Sequence, residues 1–385
     1  MNKIHEPAGP MRDRCLDKDG LIRLNLNHPP PVPKTFDRIF ADAFEDLLQT
    51  ISPSSLVATH RWSGTEEDRS MGAEFASRRL GAPPNIDRVV LTHSTQAAIQ
   101  MILPALVPKG RHLVVEHMTY PPVRAFAQRY GVAIVDVPID DNGVEPNSFE
   151  VVCRNSRPAA IYLVTTFQNP TTITMSMDRR IQIAEIAKRY DVQIIEDDVY
   201  SLLSSSPIKP ISAIVPEISW YLLGTAKSFA AGLKLAFVVA PNPSEAFRVF
   251  WPGVRATYWM ATPISAALMS KFIRGGDDLE ILAAVKKELG SRHELLNEVV
   301  GDRHYVANPG CLHVWFPLTE KHPSEEVAIA MKADGVQVAG SNSYASPAFH
   351  PPEAIRVGIG NPETPELLER ALKIIRKHLP SGWND

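Results

Sequence analysis

A lysine becomes a nucleophile near neutral pH only when burial strips water from its ammonium and lowers its pKa. Lys227 has a setting for that. It stands on a short polar loop between two apolar runs, 220–223 and 235–240, within YLLGTAKSFAAGLKLAFVVA (221–240). A surface loop lysine is the ordinary alternative, and the residues upstream decide between them. Thr92-His93-Ser94-Thr95-Gln96 opens a helical pattern. Ser or Thr at a helix start, with free backbone N–H groups, suits a phosphate, although most such starts are only caps. Tyr120, on a Tyr-Pro-Pro turn, is placed either to stack on a planar ligand or to pack in the core. Asn169-Pro170 brings an amide to a strand end, or simply a turn. Glu196-Asp197-Asp198-Val199-Tyr200 sets three acidic residues beside a buried strand, which costs free energy unless positive charge meets them.

Together these give a phosphate cup, an aromatic stacker, an amide, a carboxylate, a phenol and then Lys227, in chain order. They are the parts a pyridoxal 5'-phosphate site requires. The lysine holds the aldehyde as a Schiff base, and the carboxylate keeps the pyridine nitrogen protonated. Amide and phenol bond the ring hydroxyl, and a helix terminus holds the phosphate.

The elements that must position these groups alternate. Apolar runs at 88–92, 112–116, 133–137, 159–165, 192–196, 220–223 and 235–240 are interleaved with amphipathic stretches at 94–106, 121–130 and 176–190. Runs of four to seven residues between helices indicate a mainly parallel sheet covered on both faces. Ligands of such sheets gather at the carboxyl ends of the strands, where the candidates above fall. A helix is expected at 35–50. After Pro252-Gly253 the pattern changes: 264–300 reads as helical with a break near 277–279, then strands at 311–316 and 335–339 and helices at 324–333 and 364–379. The expected division is 1–54 as an N-terminal arm and part of a small domain, 55–255 as a large cofactor-binding α/β domain, and 256–385 as a small α+β domain.

Composition narrows the function classes. The 385 residues are 44% hydrophobic and 22% charged, ordinary for a globular enzyme, and the net charge of −3 gives no electrostatic case for nucleic acid or an anionic membrane. Cys15, Cys153 and Cys311 have neither disulfide nor metal-ligand spacing, which fits a reducing cytoplasm. The polar N-terminus is not a secretory signal, and no apolar run approaches the ~18 residues that span a membrane. A nicotinamide site lacks its glycine fingerprint, and the 12 histidines show no paired ligand spacing.

From about residue 55 to its end the chain resembles the fold-type I pyridoxal-phosphate enzymes of the class I/II aminotransferase family. The likeness is strongest to the aminotransferase-like domain of MocR-type regulators, carried by QNPTTITMSMDRR (168–180), IIEDDVY (194–200), VRATYWMATP (254–263) and GCLHVWFPL (310–318). The resemblance implies a seven-stranded, mainly parallel sheet sandwiched by helices. It implies that Lys227 is the Schiff-base lysine and proton shuttle, that Asp197 pairs with the pyridine nitrogen, and that Tyr200 and Asn169 meet the ring hydroxyl. Tyr120 would stack on the ring, Ser94, Thr95 and Gln96 would cup the phosphate, and Arg356 would clamp the substrate α-carboxylate through its two-pronged guanidinium. Relatives are homodimers that share active sites, and Trp62 lies near the place of a borrowed aromatic.

Four positions depart from the family pattern. Gly224 stands for a phosphate-binding serine, with Thr225 as its substitute, and Lys234 for an arginine. Ser94 replaces the cup glycine, and Asn27-His28-Pro29 replaces Gly-x-Pro, setting the Asn27 side chain where substrate passes. The expected reaction is transamination between an α-amino acid and a 2-oxo acid. β-Elimination, decarboxylation or racemisation on the same cofactor is the alternative. A ligand-sensing regulator is a third reading, set against one helix at most and no basic recognition helix before the large domain. His28, Trp62, Tyr258 and Tyr344 are candidates for the side-chain pocket by position.

Overall fold

The computed structural model describes residues 20–58, 60–257 and 260–380, so Cys15, Tyr258 and the first part of the arm lie outside it. Seven strands form the main sheet: β1 (Val89–Thr92), β2 (His112–Glu116), β3 (Ala133–Val137), β4 (Ala160–Leu163), β5 (Gln193–Asp197), β6 (Ser219–Gly224) and β7 (Ala236–Val239). Their spatial order is β1-β7-β6-β5-β4-β2-β3. β7 runs antiparallel to β1 and β6, and every other pairing is parallel. The expected α/β sheet is therefore present.

Both faces of this sheet are covered, and the strand sequences show why they must be. In β2, Leu113 and Val115 join one core while Val114 joins a second. In β4, Ala160 and Tyr162 face the first core, and Ile161 and Leu163 the second. The period-two alternation of a strand thus feeds two apolar layers, and a continuous apolar run is its signature.

Three further strands form a small antiparallel sheet in the order His313–Pro317, Ala354–Gly358, Ala339–Gly340, and Ile139–Asp140 pairs with Gly143–Val144. Ile22–Arg23 pairs in parallel with Val336–Gln337, so the first described residues pack against the last third of the chain. Residues 24–28 then run along the end of strand Ala354–Gly358: the Gly358 amide donates to the Leu24 carbonyl at 2.7 Å. A β-carbon on Gly358 would clash with the Leu26 carbonyl, and one on Gly360 with the His28 carbonyl. Glycine is required where backbone meets backbone this closely.

Two features differ from the sequence reading. Helix Pro243–Thr257 was not expected, and it runs through Pro252-Gly253. A β-carbon on Gly253 would stand 2.9 Å from Met101, so the residue serves close packing of this helix on helix Thr95–Leu106. Helices Pro53–Ala58, Glu66–Leu80 and Pro146–Ser156 were not expected. The second of these buries Gly72, Ala73 and Ala76 together with Phe75, and small residues leave little apolar periodicity to read. The helical region after 263 divides at Gly276, with φ of 76°, into Pro263–Gly275 and Asp277–Val300. No helix among the described residues is long and apolar enough to cross a membrane.

Candidate active site

A cavity of about 220 Å³ opens at the carboxyl ends of the main-sheet strands. Ser94 reaches it from the loop after β1, Thr95 and Gln96 from the first turn of the helix that follows, Tyr120 from beyond β2, and Asn169 from beyond β4. Asp197 ends β5 and Tyr200 follows it; Lys227 and Lys234 come from the connection between β6 and β7. These nine candidates, far apart in sequence, share one cavity.

The acidic run at 196–198 sorts by partner. Glu196 accepts from the Thr165 hydroxyl, from the Ile211 and Ser212 amides and from the Ser212 hydroxyl, with Arg180 3.7 Å away. Asp198 accepts from Arg79 at 3.1 Å and from the Tyr221 hydroxyl at 2.8 Å. Asp197 alone meets the cavity. Tyr162 donates to its Oδ2 at 2.9 Å, and its buried Oδ1 has no hydrogen-bond partner. Burial raises the Asp197 pKa to about 6, against the pull of the Tyr162 hydrogen bond and of Lys227.

Lys227 faces it. The amine donates to the Asn27 carbonyl at 2.5 Å. Loss of solvent, and then the charges of Arg356 and Lys234, lower its pKa to about 8, with Asp197 opposing. The amine is held in place by this contact, and its lowered pKa leaves more of it in the neutral, nucleophilic form than an exposed lysine would have.

At the β1 end, Ser94 caps helix Thr95–Leu106 by accepting from the Ala97 amide at 3.1 Å. The amides of Thr95 and Gln96 precede the first intrahelical hydrogen bond, so the helix itself makes no use of them. Gln96 donates to the Tyr120 hydroxyl at 2.5 Å. Gly224 also lines the cavity, and a β-carbon there would come within 3.0 Å of the Thr95 Cγ2 and 3.3 Å of the Val199 Cγ2. The Thr95 methyl thus crowds the space that a serine at 224 would need. Thr225 lies off the cavity, fully buried, with its hydroxyl donating to the Leu235 carbonyl at 3.1 Å. Lys234 is exposed at the cavity edge with a φ of 52°.

The substrate-side candidates spread more widely. Arg356 is buried behind the cavity wall: it donates to Asn169 Oδ1 at 2.9 Å and to the Asn25 carbonyl, and its ring contact is Tyr344, 5.3 Å away. Its Nε has no protein partner. The Asn27 side chain does not point into the substrate path. It turns inward, donating to Tyr200 Oη at 3.1 Å and contacting His313 Nδ1 at 3.0 Å, while His28 lines the cavity. Trp62 lies away from this cavity, in an aromatic group with His60 and Trp251 beside the exposed Phe247. His93 lines the cavity, and His117 stacks on Phe349.

Tyr162, His313 and the Asn25 and Asn27 carbonyls escaped the sequence reading. Tyr162 and His313 were visible as polar-tipped residues inside apolar strands. The carbonyls leave no trace in side-chain identity. Among the described residues no cluster of His, Cys, Asp and Glu could hold a metal, and Cys153 and Cys311 are buried free thiols.

Residues 32–375 match the family described as aminotransferase class I and II. The uncharacterized HTH-type transcriptional regulator YdeF of Bacillus subtilis is 29% identical over 311 residues, 78% of this chain and 65% of that protein. Aromatic-amino-acid aminotransferase 1 of Thermococcus litoralis is 29% identical over 219 residues, 54% of this chain and 52% of that one. The chain therefore spans less than two-thirds of either relative. The solved structure of Pyrococcus horikoshii kynurenine aminotransferase aligns with a TM-score of 0.83 at 20% identity, covering 93% of this chain and 90% of that one, a likeness of fold.

Proposed function

The chain belongs to the class I and II aminotransferase family, and from that premise we propose that it binds pyridoxal 5'-phosphate and moves an amino group between an α-amino acid and a 2-oxo acid. The observation that carries the reading is the pairing of Lys227 with Asp197 across one cavity. The cavity suits the cofactor in its donors and acceptors. An unpartnered buried carboxylate oxygen costs free energy, and a protonated ring nitrogen would meet Asp197 Oδ1. The start of helix Thr95–Leu106, with Lys234 beside it, would hold the phosphate, and Tyr120 would lie on the ring.

When bound, the cofactor supplies an electron sink that makes the substrate Cα–H acidic. The remaining tasks fall to this chain. Lys227 Nζ, its pKa lowered to about 8, takes up that proton in its neutral form and returns it. Asp197 keeps its charge next to the ring nitrogen, and Tyr200 and Asn169 bind the ring hydroxyl. Arg356 orients the α-carboxylate, a task for which its unpaired Nε is available. Val164, Val199 and Leu235 form a dry wall.

Adding pyridoxal phosphate to the purified protein should give a new absorption band that an amino acid depletes and a 2-oxo acid restores. Lys227→Ala should lower turnover by about 10³-fold or more. Full turnover by that variant would end the proposal. The likeness to an HTH-type regulator favours a second reading, a module that senses an amino acid through the same site. A band that shifts with amino acid yet yields no 2-oxo acid would select it. We also propose a cytoplasmic homodimer, with the division near 255 separating its domains. A solution mass of 42.6 kDa rather than twice that would refute the dimer.

A further inference from the structure

Behind Tyr200 lies a chain of hydrogen bonds whose direction is fixed at its far end. His313 is fully buried in strand His313–Pro317, with Nε2 3.1 Å from the Gln168 carbonyl and Nδ1 3.0 Å from Asn27 Nδ2. Its ring meets the Tyr200 ring edge-on, centroids 5.7 Å apart. A carbonyl only accepts, so Nε2 must carry the ring proton. Burial, and then the charges of Arg356 and Lys227, oppose a second proton. The imidazole is therefore neutral with a bare Nδ1, and Nδ1 must accept.

That requirement fixes Asn27. Its amide nitrogen has two hydrogens and two neighbours, His313 Nδ1 and Tyr200 Oη at 3.1 Å. Turning the amide over would set its oxygen against Nδ1 and force the ring proton there, leaving a bare Nε2 facing the Gln168 carbonyl. The Cys311 thiol, 3.4 Å from Nδ1, is the other donor nearby, and thiols donate weakly. Since Tyr200 Oη accepts from Asn27, its own proton is left to point into the cavity it lines.

We propose that His313 is a positioning residue: through Asn27 it compels the Tyr200 hydroxyl to act as a donor toward the cavity. In the site proposed above, the acceptor is the ring oxygen of pyridoxal phosphate, in its deprotonated form. This inference rests on that reading of the cavity and goes beyond it in assigning His313 and the polarity of Asn27.

The experiment is a pH titration of the absorption band of protein-bound pyridoxal phosphate in wild type and in His313→Asn, His313→Gln and His313→Phe. Asparagine places an acceptor near the position of Nδ1, whereas glutamine reaches the Gln168 carbonyl as a donor and phenylalanine offers neither. A donor to the deprotonated ring oxygen lowers the pH at which the band converts. His313→Asn should titrate as wild type does. His313→Gln and His313→Phe should titrate about one pH unit higher, a tenfold weakening of the donor. If phenylalanine prevents folding, seen as loss of the thermal transition, the Asn and Gln pair decides. Identical titrations in all variants would overturn the role of His313 while leaving the cofactor reading intact. Failure of the wild type to form any band would overturn the cofactor reading itself, and this inference with it.

Discussion

Lys227 destabilises the fold that holds it. Its pKa in the folded protein, about 8, lies below the ordinary 10.5. The folded state therefore penalises the charged form wherever lysine is protonated, and the penalty fades as pH rises from 8 towards 10.5. Replacing it with an uncharged chain of similar length removes the penalty and the 2.5 Å hydrogen bond to Asn27 together. Lys227→Met should raise the stability of the cofactor-free protein at pH 7 by about 1–3 kcal/mol, with the gain shrinking above pH 8. Calorimetry at pH 7 and pH 9.5 checks this, and a loss of stability at both would show that the Asn27 contact dominates. That Lys227 shares a cavity with Asp197 and Tyr200 was legible in sequence because these are distinctive residue types at successive strand ends. The reason the Asn27 side chain turns away from the cavity was not legible, since it lies in His313, 286 positions along the chain.

At the scale of elements, the loop after β4 shows where local rules yield to the site. Phe167 and Thr172 both adopt positive φ, 52° and 67°. Thr172 is fully buried, and its hydroxyl has no partner. A β-branched residue in the left-handed region is strained by roughly 1–3 kcal/mol. Thr172→Gly relieves that strain and removes the unsatisfied hydroxyl, against the backbone entropy that glycine adds to the unfolded chain. The variant should be more stable by about 1 kcal/mol, read as a shift of the denaturation midpoint at unchanged slope. Such a loop is illegible in sequence because nothing in QNPTT announces its backbone. The main-sheet strands were the reverse case. Burial on both faces makes the inner strands mainly apolar runs, and the expected bounds of β2 and of the edge strand β3 match the structure to the residue. Helix Pro243–Thr257 was not expected, because a proline–glycine pair ordinarily stops a helix, while here Gly253 packs against Met101 and the helix runs through.

At the scale of the molecule, residues 22–28 join the site to the small sheet. Their place is set by Ile22–Arg23 pairing with Val336–Gln337 and by the backbone contacts at Gly358 and Gly360. Gly358→Ala should push the segment outward and remove the Asn27 contacts to Lys227 and Tyr200 together. The expected cost is about 1–3 kcal/mol of stability, accompanied by a pKa change at Lys227 measurable by its rate of chemical labelling against pH. An unchanged labelling profile would refute the link. The same segment has a consequence for what the cavity can bind. Resting Arg356 and Lys227 each already donate to a peptide oxygen, that of Asn25 and of Asn27, so the protein competes with its own ligand for both cations. A neutral peptide oxygen holds a guanidinium less strongly than a carboxylate does, by about 1 kcal/mol. In the proposed role of Arg356, only a fully anionic ligand gains from the exchange, while amides and esters merely break even. The cost lowers apparent affinity for every ligand, and it converts that loss into selectivity for the free acid.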